Sequence, residues 1–68
     1  MNLPDHSFSI GAARKNAKMS QEYVANALGI SRHTWSNYEN YRSTPGVDVA
    51  FRIAELFDLP IDVIRWEG

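Results

Sequence analysis

Apolar residues recur along the chain at three- and four-residue spacing, the period of helices buried on one side. The clearest run is Val47, Ala50, Phe51, Ala54 and Phe57, widened by Ile53, with Asp48, Arg52, Glu55 and Asp58 on the other side. It predicts an amphipathic helix over 47–57, preceded by the turn residues Thr44-Pro45-Gly46 and stopped by Leu59-Pro60. Pro60 suits the first turn of a new helix, so a short last helix carrying Ile61, Ile64 and Trp66 is expected over 60–66. Further upstream, Ser20 stands before Gln21-Glu22, followed by Val24, Ala25 and Leu28 at helical spacing and by Gly29 as a left-handed stop. This is a capped helix over 20–28. Ser31 offers the next N-cap, for a helix over 31–40 in which Trp35 and Tyr38 are three apart while Arg32, His33, Ser36, Asn37 and Asn40 lie elsewhere around it. Ile10, Ala13, Arg14 and Ala17, after Pro4-Asp5, predict a first helix over 7–17. No strand pattern, repeat or low-complexity tract stands out. The expectation is one all-α domain over 1–68, built from five short helices.

Composition narrows the classes. With 68 residues and 44% apolar side chains there is one core to build, and the absence of cysteine removes disulfides, Cys-rich zinc sites and thiol chemistry. His6 and His33 form no ligand cluster at helical spacing, so no metal or other cofactor is expected. The apolar runs are far too short to span a bilayer, and the start MNLPDHSF lacks the order of a signal peptide. No membrane association is expected, and the chain reads as cytoplasmic. No Gly-rich phosphate loop, catalytic carboxylate pair or nucleophile beside a histidine appears, so the reading is not an enzyme.

Charge adds an asymmetry that the net value of -1 conceals. From 14 to 42, Arg14, Lys15, Lys18, Arg32 and Arg42 face only Glu22 and Glu39, a balance of +3. From 43 onward, Arg52 and Arg65 face Asp48, Glu55, Asp58, Asp62 and Glu67, a balance of -3. Either this is a chance scatter of solvated charges, or one face is made for a polyanion and another is kept away from it.

Two short helices joined through Leu28-Gly29-Ile30-Ser31, the second with exposed hydrogen-bonding side chains, form a helix-turn-helix pattern. In that arrangement the second helix enters the DNA major groove. Residues 20 to 40 carry Ser20-Gln21-Glu22, then Ala25, Leu28-Gly29, Ile30, Ser31, Trp35, Ser36, Tyr38 and Glu39-Asn40. This run resembles the signature of the phage-repressor and Cro family of lambda-repressor-like DNA-binding domains. Pro45, Ile53-Ala54 and Leu59-Pro60-Ile61-Asp62 extend the likeness across roughly residues 8 to 66.

The resemblance implies that Ser31, Arg32, His33 and Asn37 point at base edges, with Thr34 and Ser36 as secondary contacts. Arg32 can fork onto guanine and Asn37 can pair with adenine. It implies phosphate contacts from Gln21, Asn40, Lys18 and Arg42, and a bridge from Arg14 to Glu39 between the first and third helices. Against these roles stand plainer ones: Arg32 and Asn37 as solvated surface, Asn40 as a helix end, Lys18 as an exposed side chain. Trp35 and Tyr38 read as core rather than as base-stacking aromatics. Lys18 and Tyr41 stand where the family usually has glycine, so strain or a rebuilt turn is expected at both.

The functional expectation is a Cro-like, sequence-specific DNA-binding regulator acting as a homodimer on a near-palindromic operator. Tyr41, Ile64, Arg65 and Trp66 are the candidate subunit contacts. Since the binding domain fills 68 residues, no separate sensor domain is expected. The alternative is a protein-interaction module, such as an antirepressor or antitoxin that docks on a repressor or another protein, motivated by the acidic C-terminal third and by Tyr41.

Overall fold

Serine side chains start three of the helices in the computed structural model, which describes residues 8–68. Ser9, Ser20 and Ser31 each sit in extended backbone and accept a hydrogen bond from the backbone N–H three residues on, at Ala12, Tyr23 and Thr34. Each hydroxyl satisfies a donor that the first helical turn leaves unpaired. The helices that follow are α1 (Ile10–Asn16), α2 (Gln21–Leu28) and α3 (Arg32–Glu39), and α4 (Val47–Phe57) begins after Gly46 without a side-chain cap.

All four helices end in the same way. A backbone N–H reaches back five residues to a carbonyl, from Met19 to Arg14, Ile30 to Ala25, Arg42 to Asn37 and Leu59 to Ala54. The residue before each of those donors is left-handed: Lys18, Gly29, Tyr41 and Asp58, with φ of 60°, 72°, 58° and 57°. This is the Schellman closure, which favours glycine at that position. Here only one of the four is glycine, and each of the others carries a steric cost of about 1 kcal/mol.

The core is a contact of every element. Ile10 and Ala13 of α1, Val24, Ala25 and Leu28 of α2, Trp35 of α3 and Ile53, Ala54 and Phe57 of α4 form one buried cluster. Trp35 is fully buried at its centre, edge-on to Phe57 at 6.0 Å and to Tyr38 at 6.3 Å between ring centroids. Such aromatic pairs add to the stabilisation from area burial alone. Trp35 and Tyr38 are therefore packing residues.

Two features correct the sequence reading. The expected helix over 60–66 is a single 3-10 turn, Ile61–Val63, followed by a two-residue strand, so the described residues form four α-helices and not five. That strand, β2 (Ile64–Arg65), pairs in parallel with β1 (Phe8–Ser9), with Phe8 opposite Ile64 and Ser9 opposite Arg65. The β-branched Ile61, Val63 and Ile64 favour extended backbone. A pairing two residues long leaves no alternating pattern in the sequence. The first helix accordingly begins at Ile10, and the Pro4-Asp5 lead-in and residue 7 lie outside the described residues.

Tyr41 fastens this short ribbon. Its hydroxyl accepts from the Ile10 backbone N–H at 3.2 Å and donates to the Arg65 carbonyl at 2.7 Å. The Arg65 guanidinium lies 5.6 Å from the centre of the tyrosine ring, a cation–π contact. The left-handed turn at Tyr41 thus carries a side chain that joins the start of α1 to the end of β2.

The two non-glycine turns in the first three helices should respond oppositely to glycine. Lys18→Gly relieves a strained backbone under an exposed side chain and is expected to stabilise by about 0.5–1 kcal/mol. Tyr41→Gly relieves the same strain but removes two hydrogen bonds and the ring, and is expected to destabilise by about 2 kcal/mol. Urea denaturation of the two variants beside the wild type measures both.

Candidate nucleic-acid interface

The α2–Gly29–α3 unit is set by one carboxylate. Glu39, in the last turn of α3, accepts hydrogen bonds from Arg14 Nε of α1, from Gln21 Nε2 of α2 at 3.1 Å and from its own helix's Trp35 Nε1. The Arg14 guanidinium also donates to the Met19 carbonyl at 2.9 Å, in the turn leading to α2. Gly11 permits this arrangement, because a Cβ there would lie 3.2 Å from Glu39 Oε1. Three helices are thereby tied at one point, and Gln21 is the donor that joins the start of α2 to the end of α3.

Opposing effects act on the Glu39 carboxyl. Burial raises its pKa, but the hydrogen bonds from Arg14, Gln21 and Trp35 and the Arg14 charge outweigh burial and hold it below the ordinary glutamate value. It is ionised at neutral pH, and the Arg14–Glu39 ion pair is largely shielded from solvent.

With Trp35 and Tyr38 directed to the core, helical geometry turns His33 and Asn37 outward, one turn apart, with Arg32 and Ser36 beside them. Arg32 and His33 are exposed, while Ser36 and Asn37 are half-buried. Ser31 is exposed at the N-cap, where its hydroxyl accepts from the Thr34 N–H at 3.0 Å and donates to Thr34 Oγ1 at 2.9 Å. Both hydroxyls are thus already engaged in starting the helix.

The candidate phosphate contacts surround this face unevenly. Gln21 gives one amide N–H to Glu39, which leaves the other for a ligand. Asn40 caps α3, its amide donating to the Ser36 carbonyl at 2.9 Å and to Ser36 Oγ at 3.2 Å. Lys18 and Arg42 are exposed, each just past a helix end.

Across residues 10–64 the chain matches the helix-turn-helix family model. It belongs to the lambda-repressor-like, XRE-type helix-turn-helix family. This helix-turn-helix chain is 35% identical over 57 residues to a putative HTH-type transcriptional regulatory protein of Methanococcoides burtonii, a match covering 78% of the chain and 18% of the relative. It is 35% identical over 49 residues to the HTH-type transcriptional regulator AnsR of Bacillus subtilis, covering 72% of the chain and 42% of the relative. A putative HTH-type transcriptional regulatory protein of Thermococcus gammatolerans is 36% identical over 64 residues, covering 88% of the chain and 17% of the relative. The chain therefore spans less than half the length of each. No solved structure matches it significantly.

Candidate subunit contacts of the helix-turn-helix domain are placed differently from the sequence expectation. Ile64 is 2% exposed and belongs to the domain's own core, so it is removed as a contact. Tyr41 is half-buried and its hydroxyl is engaged within the chain. Arg65 is exposed over the Tyr41 ring, and the half-buried Trp66 donates its indole N–H to the Ile61 carbonyl at 2.9 Å. Two side chains assigned by periodicity to the buried stripe of α4 are instead exposed: Val47 at 70% and Phe51 at 57%. The signal was available in their four-residue spacing along one edge of the stripe, one turn apart and away from Ile53 and Phe57.

Glu39→Gln should cost about 2–3 kcal/mol at neutral pH, since it leaves the shielded Arg14 without its counter-charge. The folded-state pKa of Glu39 is depressed, so its stabilisation is complete above the unfolded value of about 4.3 and is lost as pH falls through the lower folded value. Wild type and variant are therefore expected to converge in stability on acidification. Denaturation midpoints measured from pH 7 down to pH 3 give the comparison.

Proposed function

We propose that this helix-turn-helix domain is a sequence-specific regulator of transcription that reads double-stranded DNA with α3. The observation that carries the reading is the Glu39 tie, which fixes α3 against α1 and α2 while Arg32, His33 and Asn37 face away from the core. A groove-reading helix needs rigid support behind it and free hydrogen-bonding groups in front.

Arg32 offers a bidentate fork to guanine N7 and O6, and Asn37 a donor and acceptor to adenine N6 and N7. His33 and Ser36 add contacts on the same face, and Ser31 and Thr34 add them at the helix start without giving up their cap. Gln21, through its second amide N–H, and Lys18, Arg42 and Asn40 supply phosphate contacts that set register without reading bases. The N-terminus of α2 adds unpaired amides and a positive dipole end near Gln21.

The reading extends to a Cro-like repressor acting by occupancy, and the short reach of one α3 calls for two copies on a near-palindrome with half-sites about 34 Å apart. A second reading, docking on a repressor or another protein in the manner of an antirepressor or antitoxin, draws support from the exposed Val47 and Phe51.

Selection from a random duplex library by the purified protein separates the two readings. DNA readout is expected to enrich a two-fold symmetric site whose affinity falls with salt on a log-log plot, reporting several phosphate contacts. On that site Arg32→Ala and Asn37→Ala should each lose about 1–3 kcal/mol of discrimination at one base position with unchanged thermal stability. Arg42→Ala should weaken binding to all sequences and reduce the salt slope by about one. Failure to enrich any site would overturn the DNA-reading assignment.

A further inference from the structure

The largest exposed apolar side chains on α4, Val47 and Phe51, stand one turn apart. With Pro45, Ala50, Ile61, Asp62 and Trp66 they line a shallow groove of about 390 Å³ whose surface is mostly apolar. On its other side Phe51 borders a second groove of about 340 Å³, between α4 and the turn at Leu59 and Ile61. A projecting aromatic ring flanked by hollows is built to be covered. None of the residues lining these grooves belongs to α2 or α3, so covering this face leaves the proposed DNA surface open.

Charge identifies what covers it. Asp48 and Arg52 form the neighbouring stripe of α4, also one turn apart, both exposed and in no ion pair among the described residues. A two-fold axis perpendicular to α4 brings a second α4 alongside in the antiparallel sense. Each stripe then meets the same stripe of the other copy in reverse order. Val47 of one copy faces Phe51 of the other, and Asp48 of one faces Arg52 of the other, each pairing occurring twice. The stripe of Asp48 and Arg52 is therefore complementary to itself in charge, and the apolar row beside it meets an apolar row. A stripe with two like charges would repel its own copy in this arrangement.

We infer that the Val47–Phe51 face of α4 is the contact between two copies of this chain, with Asp48 and Arg52 paired across the two-fold axis. The inference rests on the dimeric form of the proposed regulator. It assigns the contact to α4 and Trp66 rather than to Tyr41 and Ile64, and it is tested without DNA, so its failure leaves the base-reading assignment to be judged by the selection experiment.

Sedimentation equilibrium of the full chain, without DNA, is expected to show a concentration-dependent dimer. Phe51→Ser, which removes an exposed ring, should weaken it about thirtyfold or more. Asp48→Arg makes the charged stripe wholly positive and Arg52→Asp makes it wholly negative. Each variant alone should dissociate at concentrations where the wild type is dimeric, and an equimolar mixture of the two should associate again as a heterodimer. Circular dichroism melts confirm that each variant is folded. A monomeric wild type at hundreds of micromolar, a dimer unmoved by Phe51→Ser, or charge variants that fail to recover on mixing would each overturn the assignment.

Discussion

The Glu39 carboxylate is the point on which the orientation of this domain depends. Donors from three helices converge on it, Arg14 from α1, Gln21 from α2 and Trp35 from α3. A partly buried charge is tolerable only when its lone pairs are well satisfied, and that requirement couples the three helices. Any shift of α2 against α3 would strip Gln21 from the carboxylate, and any tilt of α3 would draw Trp35 out of both its hydrogen bond and its packing with Phe57. The hydrophobic cluster supplies most of the driving force for folding but has no strong directional preference. The polar tie adds direction, which a helix presenting side chains to a groove requires.

A second constraint comes from brevity. Helices of seven and eight residues have little intrinsic stability, and the chain compensates at their ends. Serine caps open three of them, and left-handed closures end all four. Lys18, Tyr41 and Asp58 accept a conformation that glycine would take without strain. At Tyr41 the return is visible: the side chain bridges the start of α1 and the end of β2. Nothing in the structure gives a comparable reason at Lys18, whose side chain is exposed.

The surface differs in chemistry between α3 and α4. Around α3 it is basic and hydrogen-bonding, from Arg32, His33, Asn37 and Arg42. Along α4 it is apolar at Val47 and Phe51, with mixed charge beside them and acidic residues beyond. Trp35 and Phe57 of the core pack between α3 and α4, so recognition of a polyanion and association of like with like need not compete for the same residues.

The sequence by itself determined the helices whose apolar period and caps are local. Val24, Ala25 and Leu28 between Ser20 and Gly29 define α2, and Ser31 with Trp35 and Tyr38 defines α3, because capping and helical periodicity act within a few residues of the chain. The run from Val47 to Phe57 marks α4 for the same reason. The outward face of α3 was legible as the complement of Trp35 and Tyr38, though the use of Ser31 and Thr34 on each other was not. Only the tertiary structure decided that 64–65 would be a strand, since its stabilising partner, Phe8–Ser9, is more than fifty residues away. Tertiary structure also decided that Tyr41 would be a clasp and that Gln21 would share Glu39 with Arg14. The same holds for α4, where periodicity marks a stripe but not its width. Ile53 and Phe57 found neighbours to bury them, whereas Val47 and Phe51, on the edge of that stripe, were left in solvent because no other element of the described chain reaches over them.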